Sequence, residues 1–237
     1  MPIFNNRTRF SMNDTLQQTT ASTPTNQWQD WFEADHFPFS VQASIEADVL
    51  AETEFNALQE ALQSKLSALL AAFADTAKTE RLLSVHALAE TFDNPEASWE
   101  FEWMLCTNAT IQAWNEEYRQ KNTATDVLSF PAFEDPETLL QATDDALAIE
   151  FFNQQRQQGG SLGTIVVSWH YAKEAIQALH PTVQPASAVF QEALIRYILE
   201  RFCHGCLHLL GLHHETQEKY NRVVALQAQT LKTIISN

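Results

Sequence analysis

The sequence predicts an α+β domain of mixed α/β layers: one central mixed sheet of about four strands, packed by about five or six helices. Three observations carry this. Two stretches alternate apolar and polar residues with the period of a half-buried strand, and several longer ones repeat apolar residues every three or four positions. Only five Gly and eight Pro occur among 237 residues, too few for a turn-dense all-β or collagen-like chain. At 45% hydrophobic residues, the chain can bury one sizeable core.

Residues 1–38 read as a polar amino-terminal tail, partly disordered. Residues 1–27 are rich in Asn, Gln, Thr and Ser and bury too little to offset their ordering entropy; Trp28, Trp31 and Phe32 begin packable sequence. Residues 39–237 form the single domain. Val41, Ala43, Ile45, Ala47 and Val49 alternate with Gln42, Ser44, Glu46 and Asp48, a strand. From Thr53 to Thr76, Phe55, Leu58, Leu62, Leu66, Leu69, Leu70 and Phe73 make one apolar helix face. A weaker apolar pattern over 80–92 and an Asp93-Asn94-Pro95 turn precede a second alternating strand, Trp99 to Cys106. Asn108 and Thr110 offer caps for a helix through Ile111, Trp114 and Tyr118. Val127 to Pro131 is a short strand that its proline ends or confines to an edge. The stretch 132–158 reads as an acidic helical insertion closed by Gly159-Gly160. Leu162 to Ser168 is a β-branched run suited to an interior strand. Helices follow over Tyr171 to Leu179, over Phe190 to Leu210 with Gly211 as its stop, and over about 215–234.

Charge and composition narrow the function classes. Fourteen basic against 30 acidic residues leave a net charge of −16, which opposes a phosphate-rich partner. The distribution weakens that objection, because residues 160–237 carry six basic and five acidic groups while 1–100 carry five and fifteen. No apolar run reaches the roughly 18 residues a membrane span needs, and no secretory leader is recognisable. Three cysteines exclude a fully paired disulfide framework. These features predict a cytoplasmic protein with no membrane partner.

The long carboxy-terminal helix carries His204-Gly205-Cys206-Leu207-His208-Leu209-Leu210-Gly211-Leu212-His213-His214. Histidines four apart share one helix face, so His204 and His208 can address a single ion at the end of that helix. A turn at Gly211 returns His214 as a third ligand, in the His-x-x-x-His-x-x-Gly-x-x-His frame of three-histidine zinc sites. Three neutral nitrogens leave a fourth position open for water, the mark of a catalytic ion. We therefore expect one zinc per chain, with nickel and other imidazole-binding metals as alternatives. Metallopeptidases place Glu directly after the first histidine as general base; here Gly205 stands there.

The segment resembles the signature of the YbeY family of rRNA maturation endoribonucleases, His-Gly-x-Leu-His-Leu-x-Gly-x-Asp-His. Asn115-Glu116-Glu117-Tyr118-Arg119 with Thr125-Asp126-Val127-Leu128-Ser129-Phe130-Pro131 is similar to that family's Asn-x-x-Tyr-Arg and Thr-Asp-Val-Leu-Ser-Phe-Pro. Leu162 to Ser168 is similar to its Leu-Gly-Asp-Ile-x-Ile-Ser strand. The resemblance implies a metal-dependent, single-strand-specific endoribonuclease acting in ribosomal RNA maturation, at the 3′ end of 16S rRNA, and in ribosome quality control. Its expected partners are ribosomal RNA and a ribosomal protein or the small subunit, not DNA. It implies catalytic roles for His204 and for Arg119, a phosphate clamp, and a cleft lined by Arg119, Thr125, Asp126 and Ser129. Two carboxylates of the family pattern are missing: His213 replaces the Asp before the third histidine, and Thr164 the Asp of the strand. Both losses bear on how the ligands are oriented and on which group serves as base. His213 competes with His214 as third ligand; His214 keeps the spacing.

Other readings stay open. A zinc peptidase would share the three-histidine frame, and a ribosome-assembly protein could hold the ion structurally. Without the resemblance, Arg119 reads as a solvated helix-end residue paired with Glu116, and Thr125-Asp126 as a cap or turn. Cys203 and Cys206 lie inside a helical pattern and read as buried thiols. His36, His86, His170 and His180 stand singly and read as structural. The insertion 132–158 is expected on the surface away from the cleft, leaving RNA to a near-neutral face carrying Arg119 and either Arg196 or Arg201.

Overall fold

The computed structural model describes residues 28–36, 39–80, 82, 99–132 and 160–235. Residues 1–27, most of the 80–92 pattern and all but the first residue of the 132–158 insertion lie outside the described residues. The chain order is β1 (Trp28–His36), β2 (Phe39–Glu46), α1 (Ala47–Leu50), α2 (Thr53–Thr79), β3 (Trp99–Cys106), α3 (Asn108–Arg119), β4 (Val127–Pro131), β5 (Ser161–Ser168), α4 (Trp169–Leu179), α5 (Ala188–Leu209) and α6 (Gln217–Ile235).

One mixed sheet runs β1-β2-β3-β5-β4. Its centre, β2-β3-β5, is parallel, and each edge strand is antiparallel to its neighbour. β4, the strand carrying Pro131, is an edge, and the β-branched β5 is interior, as the sequence predicts. The sheet has five strands rather than about four. The extra one, β1, falls in the stretch assigned to the tail, and a bulge explains why its pattern was unreadable. The register jumps between Asp30 and Phe32, so Trp31 has no partner of its own and the alternation breaks there. The strand expected to run to Val49 stops at Glu46, and the alternation beyond it belongs to the short helix α1.

The two faces of the sheet bury different amounts. One packs Val41, Ala43, Ile45, Phe101, Trp103, Leu105, Ile165 and Val167 against α2, α4, α5 and α6, forming the main core. The other packs Met104, Cys106, Leu128 and Val166 against Ile111 and Trp114 of α3. This division decides which residues share space with the histidines. A second device fixes the β4–β5 edge. Gly163 has φ +123°, and a Cβ there would lie 2.2 Å from the Phe130 carbonyl oxygen, so only glycine fits. Among the described residues no helix is long and apolar enough to cross a membrane.

Candidate metal centre

The helix that carries the histidines is bounded by local chemistry. Ser187 caps its start, accepting from the Phe190 N–H at 3.3 Å. At its end Leu212 N–H donates to the Leu207 carbonyl (3.0 Å) and Gly211 N–H to that of His208 (2.9 Å), with Gly211 at φ +80°. That is the paired closure of a Schellman turn, which glycine permits and which turns the chain back over the last helical turn. It brings His214 beside His204 and His208, and one nitrogen from each of the three lies within 4.8 Å of the others. The cluster could hold a metal ion.

The ring orientations favour ligation. His204 and His208 face each other with Nε2 atoms 2.9 Å apart. The other nitrogen of His208, Nδ1, lies 2.9 Å from the Leu212 carbonyl oxygen, so it carries the hydrogen and leaves Nε2 as a lone pair. Burial, reinforced by His204 and His214, pushes His208 down to about 4. Burial lowers His204 as well. Both imidazoles are therefore neutral at pH 7, the form that binds metal. The His208 Nε2 lone pair faces His204 Nε2, and with His214 close by the three-imidazole donor set fits a borderline cation such as zinc. His213 stacks on His208, with ring centroids 5.6 Å apart, and is not one of the three converging side chains.

Upstream on the same stripe of α5 lie Arg201 and Tyr197, three and seven positions before His204. Arg201 Nε is 3.2 Å from Asp126 Oδ2, although no hydrogen bond is aligned along that line. Its guanidinium carbon sits 4.6 Å from the Tyr197 ring centroid. The Tyr197 hydroxyl donates to the same Asp126 oxygen at 3.4 Å; burial, then the Asp126 charge, drives this phenol up to about 12. The other Asp126 oxygen accepts from Val127 N–H (2.9 Å) and the Thr125 hydroxyl (3.2 Å). Its backbone carbonyl accepts from Ser168 N–H at 3.0 Å. Thr125 and Asp126 are thus fixed at the start of β4 beside the histidine helix. Ser129 is half-buried on β4, paired with Ile165, a residue of the face that α5 covers.

Arg119 stands apart. It is exposed at the end of α3, which packs on the opposite face of the sheet from α5, and among the described residues no hydrogen bond or ion pair joins it to the histidines. Its motif neighbour Asn115 is buried and donates to the Thr123 carbonyl at 2.8 Å, stapling the loop that leads to Thr125. Thr164 also faces the α3 side: it is buried and donates to Glu102 at 2.8 Å. The carboxylate missing at 164 is therefore not one that would orient these histidines. Gly205 faces the core, where a Cβ would lie 2.6 Å from Ile165 Cγ2.

Cys203 and Cys206 are free and buried, and burial drives Cys203 to about 12. His36 bonds Ser67 at 3.2 Å and His170 pairs with Glu52; His86 lies outside the described residues. Tyr197 was not foreseen from sequence. It had a readable signal, the seven-residue offset from His204.

A model of the family described as Endoribonuclease YbeY matches residues 62–235. A Sulfurovum protein named Endoribonuclease YbeY is 34% identical over 119 residues, half of this chain and 63% of its own length. Its namesake in Aster yellows witches'-broom phytoplasma is 32% identical over 131 residues, 55% of this chain and 70% of its own. That of Dinoroseobacter shibae is 30% identical over 158 residues, 64% of this chain and 75% of its own.

Proposed function

We propose, for a chain that belongs to the YbeY endoribonuclease family, a metal-dependent ribonuclease that cleaves single-stranded ribosomal RNA in the maturation of the 16S 3′ end and in ribosome quality control. The observation that carries the reading is the convergence of three imidazoles, within 4.8 Å, two from the family's His-Gly-x-Leu-His segment and the third, His214, just beyond it. When bound, a zinc ion there supplies Lewis acidity toward a phosphoryl oxygen and makes a nearby water acidic.

This chain's residues do the rest. His204, His208 and His214 would hold the ion. Arg201, held on its Nε side by Asp126 and over its plane by Tyr197, is a rigid cation one turn from His204 and suits a phosphate oxygen. Thr125 and Ser129 line the same edge of the sheet, and Arg119 would meet the RNA further along it. With a net charge of −16, few phosphates can be neutralised, so affinity would come from a ribosomal protein or the small subunit presenting the RNA. The site of action would be the cytoplasm.

Gly205 argues against the peptidase reading. That position is pressed onto Ile165, so neither a carboxylate nor room for one exists where a metallopeptidase keeps its base. The experiment is to offer the metal-loaded protein single-stranded RNA, double-stranded RNA and unfolded protein. Cleavage of single-stranded RNA alone is expected. Proteolysis, or RNA cleavage undiminished after metal removal, contradicts the reading.

A further inference from the structure

We propose that Tyr118 is a stacking face for a nucleobase of the single-stranded RNA, on the α3 side of the β4 edge, with Arg119 and Lys121 holding the phosphates beside that base. The proposal rests on the ribonuclease reading and deepens it, giving the substrate a second point of attachment away from the histidines.

The apolar stripe of α3 runs through Ile111, Trp114 and Tyr118 at helical spacing. The first two are buried, whereas Tyr118 is 40% exposed. Its ring meets Phe130 of β4 in a T-shaped contact, centroids 5.1 Å apart and planes at 68°. Phe130 is half-buried, so it fixes the plane of a ring that stays open to solvent. A base stacks on such a face whatever its identity, because every base has a π-face.

The turn after Tyr118 presents two cations. Its central residue, Gln120, is left-handed, φ 57° and ψ 34°, and is the one non-glycine residue with positive φ among the described residues. Gln120 N–H donates to the Glu116 carbonyl (3.0 Å) and Lys121 N–H to that of Asn115 (3.2 Å). The Asn115 side chain holds the Thr123 carbonyl at 2.8 Å, and Gln112 holds Asn122 at 2.6 Å. Strain of this kind persists where neighbours over-determine it, and it clusters at ligand clamps. Arg119 and Lys121 flank Gln120 and are exposed, and among the described residues neither is engaged in an ion pair. Glu116 and Glu117 offset their charge, so stacking rather than long-range attraction must select what binds here.

Continuity with the metal centre identifies the occupant as the same RNA strand. Successive residues of a β-strand turn to opposite faces. Ser129 pairs with Ile165, on the α5 side, and Phe130 with Thr164, on the α3 side. Asp126, just before β4, contacts Arg201 one turn from His204. An extended polymer held at the histidines therefore has one edge strand to cross before it reaches Tyr118.

The test uses zinc-loaded protein and a non-cleavable oligoadenosine carrying one 5-iodouridine, placed at each position in turn. Irradiation of the wild-type complex should join the iodinated base to Tyr118, as mapped by mass spectrometry. Affinities are then measured for wild type, Tyr118→Ala, Tyr118→Trp and Lys121→Ala, on the oligoadenosine and on an abasic oligomer with the same phosphates. Tyr118→Ala should weaken oligoadenosine binding about 5–150-fold and leave abasic binding unchanged, while Tyr118→Trp keeps wild-type affinity. Lys121→Ala should weaken both oligomers alike and lower the salt slope by about 0.7. Crosslinks confined to other residues, wild-type affinity in Tyr118→Ala, or an equal loss on the abasic oligomer overturn the proposal. With single-strand cleavage by wild type intact, such a failure is specific to Tyr118. A wild type that neither binds nor cleaves single-stranded RNA overturns the ribonuclease reading and the stacking site together.

Discussion

Gly205 sits between two metal-ligand positions, and replacing it by alanine tests whether the packing of α5 on β5 sets the site. The new Cβ would lie 2.6 Å from Ile165 Cγ2, 3.0 Å from Cγ1 and 3.2 Å from Cδ1, against an optimal carbon–carbon separation of roughly 3.5–4.0 Å. The nearest atoms are attached to the Ile165 Cβ, so no flexible end can swing away, and the helix must retreat by about 1 Å. Overpacking of this kind costs about 1–3 kcal/mol, while alanine in a helix gains about 1 kcal/mol over glycine. The expected net loss is about 1 kcal/mol, or about 2–4 °C in melting temperature for a domain of this size. The Ile165→Ala background should reverse the sign. With the obstructing atoms gone, Gly205→Ala should stabilise by about 1 kcal/mol, a coupling of about 2 kcal/mol between the two sites. The assay is thermal and urea unfolding of the four proteins of this cycle, metal-free, followed by zinc titration. Zinc affinity should fall in Gly205→Ala because His204 and His208 move with the helix. An equal effect of Gly205→Ala in both backgrounds would refute the packing argument.

Three further outcomes are expected. Arg201→Gln should weaken binding of a non-cleavable single-stranded RNA by about tenfold, the loss of one charge-assisted contact, while zinc content measured by elemental analysis stays at wild type; unchanged RNA affinity would remove Arg201 from the substrate face. Burial raises the Glu52 carboxyl, but its bonds to Lys173, Trp169 (2.7 Å) and His170 outweigh this and hold it below its ordinary value of 4.5. The unfolded chain therefore takes up this proton first, and the stabilisation, complete above 4.5, disappears as pH falls through the folded value. Stability measured from pH 6 to 3 should consequently fall less steeply in Glu52→Gln than in wild type. Chelation should leave far-UV circular dichroism unchanged, because α5 is packed by the main core independently of the ion, and lower the unfolding free energy only by the contribution of binding, about 2.7 kcal/mol relative to protein at a free metal concentration 100 times Kd.

The parts legible in the sequence are those with a local period or a local stop. Helix periodicity aligned His204 with His208, and Gly211 marked the turn that returns His214. Pro131 marked β4 as an edge. Long-range consequences were hidden. The bulge at Trp31 erased the alternation of β1. Thr164 and Arg119 lie in blocks similar to the family pattern, yet both are on the α3 side of the sheet, and the side is decided by register and by the Gly163 distortion rather than by adjacency in sequence. Asp126 was readable as a cleft residue, but not that it would clamp Arg201.

The central claim is that His204, His208 and His214 hold one ion on which RNA cleavage depends. Its most direct test is the cleavage rate of single-stranded ribosomal RNA measured against metal content, for wild type titrated from metal-free to loaded and for His208→Ala. The account predicts a rate proportional to occupancy up to one ion per chain, with no ion and no cleavage in His208→Ala. Full cleavage by metal-free protein, or stoichiometric metal retained by His208→Ala, would contradict it.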